Sequence, residues 1–175
     1  MKQKTAVRVG VVMGSDSDWP LMKAAASTLN AFGVSHEVRV ISAHRAPKTA
    51  AAYGAAAARR GLQVILAAAG GAAHLAGVLA AHTTLPVIGV PVKGGAMDGL
   101  DALLATVQMP AGIPVATMAL GAAGPVNAAL LAVQILALAD PALATRLTRH
   151  KRQLAAKVAA ADRRIRGERK DASAS

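Results

Sequence analysis

Five short runs rich in valine, isoleucine and alanine recur along this chain, each followed by a loop and then by a stretch of helical character. That alternation leaves few folds open. The runs occupy residues 7–13, 37–41, 64–67, 86–90 and 115–118. Strands that alternate with helices over short connections pair in parallel, and a parallel sheet must be covered on both faces. The intervening helices are expected near residues 19–32, 47–60, 75–82 and 100–107, with a long one at 125–139 and a last one restarting at Asp140-Pro141. Their punctuation is chemical. Pro20 and Pro47 suit first helical turns, where a missing N–H is not needed, and Gly33 and Gly61 suit helix ends.

The core of such a sheet has to be made from small side chains. Hydrophobic residues are 54% of the 175, but aromatic residues are only 2%, so Ala, Val, Leu and Ile must pack in close layers. One domain is expected over residues 1–161, including the last helix, whose stripe of Leu143, Leu147, Leu154 and Val158 is expected to pack on a neighbouring subunit. Residues 162–175 read as a basic, disordered tail.

Several functional classes fall away at once. The chain has no cysteine, which excludes disulfides and thiolate chemistry and points to a reducing compartment, hence the cytoplasm. No His/Asp/Glu spacing suggests a metal site. The positively charged start is followed by an apolar run that ends in Gly14-Ser15-Asp16, which reads as a first strand and not as a signal peptide. Residues 62–81 reach the length of a membrane span but contain Gln63, His74 and glycines, so no membrane segment is expected. A net charge of +11 suggests nucleic acid at first sight. Yet residues 146–175 carry ten basic and three acidic side chains, against ten and six in residues 1–145, so most of the excess lies in the C-terminal stretch. Without an aromatic stacking set, nucleic acid is not the expected partner.

Three loops carry chemistry. Gly14-Ser15-Asp16-Ser17-Asp18 offers backbone N–H groups, hydroxyls and a helix N-terminus, the parts of an anion site, although an ordinary helix cap uses the same residues. It matches neither a Walker loop nor the dinucleotide glycine pattern. Ser42-Ala43-His44-Arg45-Ala46-Pro47 follows the second strand. In an open parallel sheet that places it on the edge where ligands bind, with an imidazole able to exchange a proton beside a guanidinium able to hold an anion. His74 ends the Gly70-Gly71-Ala72-Ala73 run, where lack of bulk would let a ligand approach, though a hydrogen-bonded core histidine is the plain alternative.

These loops, together with Gly89-Val90-Pro91-Val92, Val107-Gln108-Met109-Pro110-Ala111-Gly112-Ile113-Pro114 and Asn127-Ala128-Ala129-Leu130-Leu131-Ala132, resemble in type and order the motifs of the N5-carboxyaminoimidazole ribonucleotide mutase (PurE) family of purine biosynthesis. The resemblance implies a flavodoxin-like (Rossmann-like) three-layer α/β/α subunit, with active sites between the subunits of a homo-octamer. It implies no metal and no organic cofactor. By that analogy Ser15, Asp18 and Arg45 bind the ribonucleotide with Ser17 and Ser42 nearby, His44 is the general acid/base, and the loop ending at His74 closes over the imidazole. The implied activity moves a carboxylate from N5 to C4 of the aminoimidazole ribonucleotide. Alternatives are a carboxylase acting on free CO2, whose branch of the family carries lysine after Ser-Ala-His and a Ser-Asn loop, and a non-catalytic ribonucleotide-binding protein. Ala76, Gly94, Gly95, Asp98 and Ala102 depart from the usual family pattern and bear on loop closure.

Overall fold

The computed structural model describes residues 6–172, which divide into two compact units, the first reaching Leu136 and the second beginning at Ala137. The first unit is a five-stranded parallel sheet. Its strands are β1 (Val9–Met13), β2 (His36–Val40), β3 (Val64–Gly70), β4 (Val87–Val92) and β5 (Ala116–Thr117), in the order β2-β1-β3-β4-β5. The connecting helices are α1 (Trp19–Ala31), α2 (Pro47–Ala57), α3 (Leu75–Ala81), α4 (Leu100–Val107) and α5 (Ala123–Ala137).

Strand parity sorts the helices into layers. Val12, Ile65, Ala67 and Val87 point to one face, where they form a cluster with Ala50, Tyr53 and Ala57 of α2 and Leu75, Ala76 and Leu79 of α3. Gly89 shares that face: a methyl group there would overlap Thr106 Cγ2, so α4 covers it too. Val90 has the opposite parity, and its Cγ1 stands 3.5 Å from where a side chain on Gly124 of α5 would begin. The β1-to-β2 crossover runs opposite to the later ones, so right-handed connections put α1 with α5 on one face and α2, α3 and α4 on the other. This is the doubly wound, flavodoxin-like arrangement.

The order of the strands decides where a ligand goes. The chain steps from β1 outward to β2, then crosses back over β1 to β3 and continues the other way. The reversal falls between β1 and β3, and a crevice opens outside the carboxyl ends of strands at such a reversal.

Two boundaries differ from expectation. β3 continues through Ala68 and Ala69 to Gly70, opposite Val92, where the sequence suggested a loop. Small side chains let the ladder run on beside β4, since a methyl group on Gly70 would meet the Val92 carbonyl at 3.3 Å. In the second unit α6 (Pro141–Ala172) is one helix that passes through the stretch expected to be disordered from Asp162. Arg and Ala favour helix, and Arg166 pairs with Asp162 one turn earlier at 3.7 Å, so charge alone does not break the element. Asp140 Oδ1 accepts from the Leu143 N–H at 3.2 Å and caps its start. Leu143 is buried, whereas Leu154, Val158 and Ile165 are exposed. Residues 173–175 of the expected tail lie outside the described residues. No helix among the described residues is long and apolar enough to cross a membrane.

One polar cluster ties edge strand β2 to α2. Tyr53 donates to Glu37 Oε1 at 2.8 Å, Arg60 binds the other carboxylate oxygen, and its guanidinium carbon lies 5.4 Å from the centre of the Tyr53 ring. Burial pushes the Glu37 carboxyl up, but the hydrogen bonds from Arg60 and Tyr53 outweigh it and leave the group below its ordinary value. A carboxyl depressed on folding contributes stability above its unfolded value and loses it as pH falls through the folded one. Glu37→Gln is therefore expected to lower stability by about 1 kcal/mol at pH 7. Urea titrations of both proteins should converge below the ordinary carboxylate range; a difference that persists there would count against this role.

Candidate functional site

The crevice predicted by strand order is occupied by the three loops that sequence singled out. An open cavity of about 490 Å³ is lined by Gly14, Ser15, Ser17 and Asp18 after β1, by residues 42–45 after β2, and by Ala69, Gly70, Ala73, His74 and Leu75 after β3. Each expected site residue is thus on its wall: Ser15, Ser17, Asp18, Ser42, His44, Arg45 and His74.

The first loop is a single turn of 3-10 helix, Asp16–Asp18, closed by a reciprocal cap. Ser15 Oγ accepts from the Ser17 N–H at 3.3 Å, and Asp18 Oδ2 accepts from the Ser15 N–H at 3.2 Å. Ser17 Oγ donates to Ser15 Oγ at 2.8 Å, so both hydroxyls are held at the cavity wall. Asp18 is the one buried carboxylate of the site, and its desolvation raises the carboxyl despite the hydrogen bonds from Ser15 and Ser17. The two readings of this loop, cap or ligand wall, are not exclusive: the same atoms do the capping and face the cavity.

The second loop is folded around Ser42. Its Oγ accepts from the Arg45 N–H at 3.1 Å, and its carbonyl accepts from the Ala46 N–H at 3.0 Å. The Arg45 guanidinium reaches across to the Gly14 carbonyl at 3.4 Å, which aims it at the end of β1. An arginine so placed presents its remaining N–H groups to the cavity as a fixed fork for an anionic oxygen.

Sequence reasoning missed one contact. His44 Nε2 and His74 Nδ1 are 2.7 Å apart, with the two rings nearly perpendicular at 83° and centroids separated by 4.8 Å. The residues are thirty positions apart, and only the crossing of the chain over β1 brings the ends of β2 and β3 together. The His74 loop turns on Gly71 (φ 60°) and on Ala73, which takes φ 45° despite its side chain. Among the described residues no cluster of three or more His, Cys, Asp or Glu side chains is arranged to hold a metal ion.

Of the residues that depart from the resemblance, Ala76 is buried on α3 and Ala102 on α4. Gly94, Gly95 and Asp98 form a loop of positive-φ residues after β4, in which Lys93 pairs with Asp98 at 3.0 Å.

Fold and crevice define a doubly wound α/β protein with a paired histidine contact and an arginine at the carboxyl edge of its sheet. A model of the family described as AIR carboxylase matches residues 8–157, and the chain belongs to that family. It is 59% identical over 155 residues to the N5-carboxyaminoimidazole ribonucleotide mutase of Mycobacterium tuberculosis strain H37Rv, covering 89% of this chain and 88% of the relative. The protein of the same name from Pyrococcus horikoshii is 54% identical over 150 residues, covering 86% and 84%. The crystal structure of Treponema denticola PurE superposes with a TM-score of 0.76 at 28% identity, covering 86% of this chain and 92% of that one.

Ser15→Ala removes one half of the reciprocal cap. It is expected to cost about 1 kcal/mol of stability in denaturant unfolding. An unchanged midpoint would show that the turn holds without the hydroxyl.

Proposed function

We propose that the chain is an N5-carboxyaminoimidazole ribonucleotide mutase, moving the carboxylate from the exocyclic nitrogen to ring carbon 4 in purine biosynthesis. The observation that carries this reading is the placement of His44 and Arg45 on one wall, facing the Ser15–Asp18 turn across a single cavity. The high identity to mutases from bacterial and archaeal sources supports it.

The substrate is anionic at both ends, and the site offers two kinds of hold. The Arg45 guanidinium with the Ser15, Ser17 and Ser42 hydroxyls binds the phosphate, and the buried Asp18 accepts from the sugar hydroxyls. Proton movement falls to His44. It gives a proton to the carbamate nitrogen, the N–C bond breaks, and CO2 is released into the closed site. Ring carbon 4 attacks the CO2, and the proton then on that carbon returns to His44 as aromaticity is restored. The residue ends as it began, so no co-reactant is consumed. Positioned proton transfer contributes about 10²–10⁴-fold, and confinement of CO2 against the ring supplies an effective-concentration advantage besides.

The subunit is read as part of a homo-octamer in the cytoplasm. Met97, Leu100, Leu104 and Val107 support assembly, because they line up at helical spacing on and beside α4 and are exposed in the subunit. Light scattering that found a stable, active monomer would refute the octamer.

His44→Asn is expected to keep the fold and to lose turnover by about 10²–10⁴-fold. Near-normal activity would remove His44 from the chemistry. Arg45→Ala is expected chiefly to raise the Michaelis constant, since it deletes a charge-assisted contact.

The choice of carboxyl donor is read with labelled substrate. Label retained from the N5-carboxylate in a large pool of unlabelled CO2 supports the mutase. Complete dilution, together with efficient use of the uncarboxylated nucleotide at low CO2, would establish a carboxylase instead.

A further inference from the structure

We propose that His74 is a positioning residue for His44: it accepts a hydrogen bond from His44 Nε2–H and so leaves His44 Nδ1 as the nitrogen that exchanges a proton with the ligand. The inference rests on the mutase reading for its catalytic consequence, but the geometry stands without it.

The contact is short at 2.7 Å, and a hydrogen bond between two imidazole nitrogens requires one bearing hydrogen and one bearing a lone pair. The pair therefore cannot be doubly protonated while the contact lasts. Of the two arrangements left, the one with hydrogen on His44 Nε2 bares Nδ1 as a base. When Nδ1 takes up a proton, His44 becomes a cation and its Nε2–H bond to His74 becomes charge-assisted, hence stronger. One contact thus orients the neutral ring and stabilises the charged one. A group that fixes the tautomer of a catalytic imidazole acts in this way in hydrolase triads.

Local structure holds the two rings to each other. His74 stands at the N-cap of α3 but its side chain makes no cap; the ring is turned to His44 instead. Neither ring makes another hydrogen bond among the described residues. The residue that aims His74 is Ala73, buried at 3% exposure and held at φ 45°, a conformation that a side chain disfavours and that only a surrounding structure maintains.

The test compares His74→Ala with His74→Asn, whose amide oxygen can accept where Nδ1 did. In the ligand-free protein with 15N-labelled histidine, assigned with His44→Asn, the His44 ring is expected to show hydrogen fixed on Nε2. His74→Ala should average the two tautomers, and His74→Asn should restore the fixed one. In turnover, His74→Ala is expected to lower kcat by about ten- to a hundredfold with a smaller change in KM, the scale felt when an imidazole loses the group that orients it. His74→Asn should recover a large part of that loss. A His44 tautomer that is the same in His74→Ala as in the wild type, or a loss confined to KM, would overturn the proposal and make His74 a substrate contact only. If the tautomer responds but the wild-type protein does not turn over the N5-carboxylated nucleotide, the pairing stands and the mutase reading fails.

Discussion

Close approach between sheet and helices, made through positions too small to keep them apart, is what the rest of this subunit depends on. A chain with one tryptophan, one tyrosine and one phenylalanine cannot fill wide gaps, so its layers have to come near one another. Gly10 accommodates the Tyr53 hydroxyl and Leu62, and Gly89 admits Thr106 and Val115. A methyl group at either glycine would overlap its neighbours, and inserting one into a packed core typically costs about 1–3 kcal/mol. Tyr53 rises above this packing on the same face, where Glu37 and Arg60 satisfy its polar end. The tightness matters to function because the three loops of the crevice are only as well aimed as the strands from which they spring.

Much of the architecture was legible before any coordinates. Glycine and proline mark the ends of elements for reasons of backbone geometry, so the strands and helices fell within a few residues of their expected places. The exceptions have physical causes. Ala68, Ala69 and Gly70 look like a loop because they lack β-branched side chains, yet they continue the ladder opposite Val90, Pro91 and Val92 of β4. Residues 162–172 look disordered by charge, but their arginines favour helix and no proline interrupts, so α6 continues through Gly167. The division of the chain after Leu136 has no sequence signal, since it falls inside a uniform helical run.

The candidate site was legible in the residues that line its cavity and not in their contacts. Motifs name Ser15, Asp18, Ser42, His44, Arg45 and His74 one loop at a time, whereas the pairing of His44 with His74 follows from strand order alone. Strand order is a property of how the chain crosses itself. Nothing local to residue 44 or residue 74 records that β1 lies between their strands. The Arg45 contact with the Gly14 carbonyl is hidden for the same reason. Ala73 shows the converse case: its left-handed backbone could not be read from its identity, because alanine, unlike glycine or asparagine, gives no sign of such a turn.

Edge strand β2 carries the His44 loop, and its last three residues, Val38, Arg39 and Val40, are all exposed. Strands so placed open by local fluctuation at a lower free energy than the centre of a sheet. In an isolated chain the His44 loop would therefore loosen first on warming, while β1, β3 and β4 still held the fold. Heat would leave a protein that looks native by its bulk secondary structure and has no chemistry, so a preparation of this chain is better judged by the order of its outermost strand than by its helical content.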